Sequence, residues 1–121
     1  DQAESYFKSG NFLDAADKYK QILYLSSEVY GQINHYSSIA HKKLAEIAYL
    51  EGDYLTAISL VQKAIIISEK LYNYDTNFVA NSYAELSTYY HLIGQEYLAF
   101  RHLFRSLEIV NFTYPKNVIV Y

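Results

Sequence analysis

Three evenly spaced glycines constrain this chain more than any other feature. Gly10, Gly52 and Gly94 lie 42 residues apart, and the residues after them agree. Gly10 is followed by Asn-Phe-Leu-Asp-Ala15, Gly52 by Asp-Tyr-Leu-Thr-Ala57, and Gly94 by Gln-Glu-Tyr-Leu-Ala99. Each glycine thus has an aromatic residue two or three positions on and an alanine five positions on. Glycine is suited to ending a helix because it takes up positive φ at least cost. The aromatic then packs at the start of a return helix. The alanine is small where two helices of a hairpin cross closely. Nine positions past each glycine, Tyr19, Val61 and Leu103 are predicted to be core.

The residues between the turns keep helical spacing. From Tyr54, small or apolar side chains recur at Ala57, Ile58, Val61, Ala64, Ile65, Ser68 and Leu71, a stripe of helical period. Leu44, Ala45, Ala48 and Tyr49 do the same before Gly52, and Leu86, Ser87 and Tyr90 before Gly94. Proline is absent until Pro115, so nothing interrupts these segments. The spacing predicts helices over about 1–9, 12–30, 37–51, 54–72, 77–93 and 96–112. The fold predicted is all-α, a solenoid of about three helical hairpins with a 42-residue period. A truncated first repeat covers 1–30, the second 37–72 and the third 77–112, while 113–121 begins a further helix or tail. A start at Asp1 and the lack of any methionine point to a segment of a longer protein.

Composition excludes several classes of function. With no cysteine there is neither a disulfide framework nor a thiolate metal site. A net charge of -3 lacks the basic excess of a surface built for nucleic acid. No apolar run approaches the roughly 18 residues that span a bilayer, so membrane insertion is not expected. The four histidines, His35, His41, His91 and His102, show no metal spacing and are expected to face solvent. His91 and His102 flank the third turn, which leaves open that they approach each other. No serine lies in a Gly-x-Ser-x-Gly elbow. Asp14 and Asp17 are one turn apart, as expected of a solvated helix face. Neither catalytic residues nor a cofactor or metal are expected. The 15 tyrosines fit either aromatic packing between helices or a binding surface.

The pattern resembles the tetratricopeptide repeat, usually about 34 residues long, in a longer variant, and this resemblance implies a right-handed superhelical solenoid. Kinesin light chains and the clustered mitochondria family both use such a variant. Lys63-Ala-Ile-Ile-Ile-Ser-Glu-Lys-Leu71, Tyr83-Ala-Glu-Leu-Ser-Thr-Tyr-Tyr90 and Gly94-Gln-Glu-Tyr-Leu-Ala-Phe-Arg-His-Leu-Phe-Arg105 resemble the repeat core of the clustered mitochondria proteins. The similarity runs from Val29 to about Val110. In the linkers only Gly31 and Asp75 match that family. Lys42 and Lys43 stand where kinesin light chains carry paired asparagines, which makes a cargo adaptor the second choice. The resemblance implies a non-catalytic interaction scaffold in a cytoplasmic protein, reaching the mitochondrial surface and needed for mitochondrial distribution. It also implies association with mRNA, ribosomes and translation initiation factor 3 through the full-length protein.

In such a stack the outgoing helices line a concave groove. A protein or peptide partner there would meet Ile39, Lys42, Glu46 and Tyr49 in the second repeat, and Asn81, Ala84, Thr88 and His91 in the third. Glu4 and Phe7 take the equivalent places in the first. A clamp for a terminal carboxylate is not expected, because Glu46 follows Lys42 where asparagine would be needed. Lys42→Glu is expected to leave folding intact. Tyr49 is open to two readings, groove anchor or core. Direct RNA binding by stacked tyrosines is the alternative function.

Overall fold

The computed structural model describes residues 1–71 and 76–113. Among these residues six helices follow one another: α1 (Gln2–Lys8), α2 (Phe12–Tyr30), α3 (His35–Leu50), α4 (Tyr54–Lys70), α5 (Thr76–Leu92) and α6 (Glu96–Thr113). No strand occurs among the described residues. Each helix packs on the next, most extensively α3 on α4 and α5 on α6.

The three glycine turns share one backbone. Gly10, Gly52 and Gly94 have φ of 83°, 82° and 80°. Their N–H groups donate to the carbonyls of Phe7, Tyr49 and His91, and the N–H groups of Asn11, Asp53 and Gln95 donate to those of Tyr6, Ala48 and Tyr90. This paired closure satisfies helix-end carbonyls that would otherwise lack partners. The next helix starts at once: the side chains of Asn11 and Asp53 accept from the N–H groups of Asp14 and Thr56.

The spacing predicted a start near 37 for the third helix, but α3 begins at His35. Asn34 accounts for the difference. Its Oδ1 accepts from Ser37 N at 2.8 Å, and its Nδ2 donates to the Gly31 carbonyl at 2.7 Å. The side chain thereby caps α3 and ties it to the end of α2.

Ala15, Ala57 and Ala99 are buried, as the close helix crossings require. Two core clusters form, one around Ala15, Tyr19 and Leu44 and one around Val61, Val79 and Leu86; Leu60 packs against both. Within each complete hairpin a buried serine hydroxyl bridges the two helices. Ser38 of α3 donates to the Ala64 carbonyl of α4 at 3.3 Å, and Ser106 of α6 donates to the Ala80 carbonyl of α5 at 2.7 Å.

One predicted core position is corrected. Tyr19 and Val61 are buried, but Leu103 is 44% exposed. Val61 belongs to a cluster that α5 completes, whereas no described helix packs on the matching side of α6. Phe100, Phe104 and Leu107 are exposed on α6 as well. Thr113 closes α6. The further helix or tail expected after it, and the linker residue Asp75, lie outside the described residues.

Candidate partner-binding groove

The outgoing helices α3 and α5 meet through side chains rather than backbone. Lys42 projects from α3 to Glu85 of α5, with Nζ 3.4 Å from Oε1. The same ammonium lies 4.6 Å from the Phe78 ring centroid. Lys43 reaches the first hairpin, 4.9 Å from the Phe7 ring centroid, and pairs within α3 itself with Glu46 at 3.9 Å. One turn beyond Glu46, Tyr49 stacks on Tyr89 of α5 with centroids 5.2 Å apart, and leans on Tyr54 at 6.0 Å.

A cavity of about 290 Å³ opens between these helices, lined by Glu46, Tyr49, Leu50, Glu85, Thr88 and Tyr89. Its electrostatics are uneven. Glu85 Oε1 is buried and, the Lys42 contact aside, no hydrogen bond reaches it among the described residues. Burial pushes the Glu85 carboxyl above its ordinary range, with Lys42 pulling the other way and Glu46 adding to the rise. Burial also raises the Tyr89 phenol, reinforced by the carboxylates of Glu85 and Glu46. Tyr89 therefore stays a neutral hydroxyl throughout the physiological range.

The groove residues expected from the sequence divide into three groups. Glu46, Tyr49 and Thr88 line the cavity together. Lys42 adjoins it through Glu85. Ile39, Asn81 and Ala84 are not among its lining residues. His91 is drawn to the α5–α6 turn, where Nδ1 lies 2.7 Å from Glu96 Oε1. Of the first-hairpin residues, Phe7 meets Lys43, and Glu4 pairs with Lys8 at 3.0 Å.

Three expectations change. Lys42 is a strut between hairpins, its side chain only 16% exposed, so Lys42→Glu would set two carboxylates side by side. His41 and His102 are half-buried instead of facing solvent. His102 does not turn toward His91; it stacks on Tyr90 at 4.9 Å and Tyr83 at 6.0 Å. Tyr49, at 37% exposure, is neither free in the groove nor core: one face packs and the other is open.

Leu50, Glu85 and Tyr89 line the cavity but were not among the expected groove residues. Tyr89 continues the step from Ser82 through Leu86, a stripe of helical period that marks the packed side of α5. That pattern predicts burial and says nothing of a cavity edge. Among the described residues no cluster of three or more His, Cys, Asp or Glu side chains could hold a metal ion. No described helix is long and apolar enough to cross a membrane.

Residues 35–111 match the tetratricopeptide repeat family. The chain is 26% identical over 114 residues to the clustered mitochondria protein homolog of Aedes aegypti, covering 94% of this chain and 8% of that protein. It is 26% identical over 103 residues to protein clueless of Drosophila willistoni, covering 85% of this chain and 7% of that protein. The chain therefore spans less than a tenth of the length of these relatives. Among solved structures it resembles the nearly identical TPR-like repeats of a putative kinesin light chain from Podosopora anserina. The TM-score is 0.72 at 20% identity, with 93% of this chain and 53% of that chain covered. A likeness at that identity speaks for the fold.

Proposed function

This chain belongs to the tetratricopeptide repeat family, and from that premise we propose that it is a protein-interaction scaffold using the face formed by α3 and α5. The observation that carries the reading is the cavity between those helices. It combines one open tyrosine face, a half-buried carboxylate and a small exposed threonine at the seam of two hairpins. Aromatic groups beside partly desolvated charge are the usual anchors of protein recognition. Tyr49 serves as the anchoring ring, Glu46 and Thr88 as polar contacts, and Lys42 holds the two hairpins in register. Ile39, Asn81, Ala84 and His91 extend the surface beyond the cavity.

For the parent protein we propose a role in mitochondrial distribution, with a cytoplasmic location reaching the mitochondrial surface. This reading rests on the names of the clustered mitochondria relatives. Association with mRNA, the ribosome and translation initiation factor 3 belongs to the same proposal and is assigned to the full-length protein. Direct RNA binding by this segment is disfavoured by its net charge of -3. Capture of cytosolic partners on the immobilised chain, with and without ribonuclease, separates the two readings. A direct protein partner survives ribonuclease. Loss of every captured protein on that treatment would favour RNA and overturn the scaffold assignment.

A further inference from the structure

A larger cleft, of about 710 Å³, lies on the other helices of the stack, between α2 and α4 over the start of α3. Part of its apolar lining is open to solvent: Tyr24 of α2, Ile33 of the linker and Ile66 of α4 are all exposed. Three exposed apolar side chains converging on one concavity mark a site of contact more than chance surface composition does.

The polar rim is equally particular. Lys20 and Lys63 are exposed on the two walls, and neither makes an ion pair among the described residues. Glu28 is the single carboxylate of the lining. It sits two helical turns beyond Lys20, about 12 Å along α2. The cleft thus has a cationic end, at Lys20 and Lys63, and an anionic end at Glu28. A second hollow of about 440 Å³ continues from it along Lys20, Gln21, Tyr24 and Leu25.

The next hairpin shows why this cleft is distinctive. At the positions corresponding to His41 and Lys63 it carries Tyr83 and Arg105, and the guanidinium lies 5.9 Å from the Tyr83 ring centroid. There a ring and a guanidinium occupy each other. In the α2–α4 cleft the smaller imidazole turns Nδ1 to its own helix, 2.8 Å from the Ser37 carbonyl, and the lysine makes no ion pair among the described residues.

We propose that the α2–α4 cleft binds a short acidic amphipathic segment of a partner protein. One large apolar side chain sits among Tyr24, Ile33 and Ile66, and its flanking carboxylates meet Lys20 and Lys63. Glu28 sets the direction, because it repels a carboxylate placed at the linker end. The cleft is separate from the α3–α5 face, so either surface can fail without the other.

A random-peptide display library panned against the 121-residue chain tests this, followed by titration of the enriched peptides. Enriched sequences should carry Asp or Glu beside a large apolar residue. Lys20→Glu combined with Lys63→Glu should weaken them by on the order of tenfold, since two weak exposed attractions become repulsions. Ile66→Asp should abolish binding at an unchanged thermal midpoint. Enrichment of basic sequences, no enrichment, or peptides indifferent to these variants would overturn the proposal. So would capture of phosphatidylserine vesicles, sensitive to the double variant, in the absence of acidic peptides; the cleft would then serve a lipid surface.

Discussion

Ser38 and Ala64 in one hairpin correspond to Ala80 and Ser106 in the next, with the hydroxyl on opposite helices. What repeats is a small pair bridged by one hydrogen bond, and either helix can supply the donor. Glu85 is the residue whose chemistry departs most from its surroundings. Its carboxyl is raised above the ordinary range by burial even with Lys42 beside it. A carboxyl raised on folding favours the native state when protonated, and this advantage disappears as pH rises through its folded pKa. Glu85→Gln mimics the neutral form. It should raise the thermal midpoint relative to the parent near neutral pH, and the gain should shrink as pH falls through the raised pKa. A constant difference across that window would show that burial of Glu85 is not the cause. Tyr49→Ala removes one face of a stacked pair at a partly exposed site. Its cost in chemical denaturation should be about 1–2 kcal/mol, below the 3–5 kcal/mol of a fully buried aromatic. A loss in that upper range would make Tyr49 a core residue.

At the scale of helices, the crossing of α3 and α4 leaves no room at Ala57, which is fully buried in the larger core cluster. Ala57→Phe should cost about 1–3 kcal/mol and lower the thermal midpoint. Lys63→Ala, on the exposed side of the same helix, should change stability by less than about 0.5 kcal/mol. Equal midpoints for the two variants would contradict this helix register. The turns and seams were legible in the sequence because they depend on local demands: positive φ at glycine and small size at alanine. The start of α3 was less so, since it rests on one asparagine side chain bridging two helix ends. The pairing of Lys42 with Glu85 could not be read, because it depends on the angle between hairpins, which no local pattern encodes. Leu103 carries the same periodic signal as Val61; the difference between them lies in which helix packs alongside.

For the whole molecule the contrast is between fold and use. The repeat identifies the architecture, but a mixed face of carboxylates, lysines and tyrosines suits many partners. Net charge permits one firm expectation. RNA, where bound by this segment alone, should bind weakly and be released as salt rises, because phosphate contacts lose affinity steeply with ionic strength. Tight binding that ignores salt would reverse the ranking of protein over RNA. The most direct test of the scaffold account fills the α3–α5 cavity without touching the core. Thr88 is exposed at its edge, so Thr88→Arg should leave the thermal midpoint unchanged. Partners captured from cytosol by the parent chain should be lost by this variant and weakened by Tyr49→Ala. Retention of every partner by both variants, or the absence of any protein partner for the parent, would contradict the assignment of the α3–α5 face as the working surface.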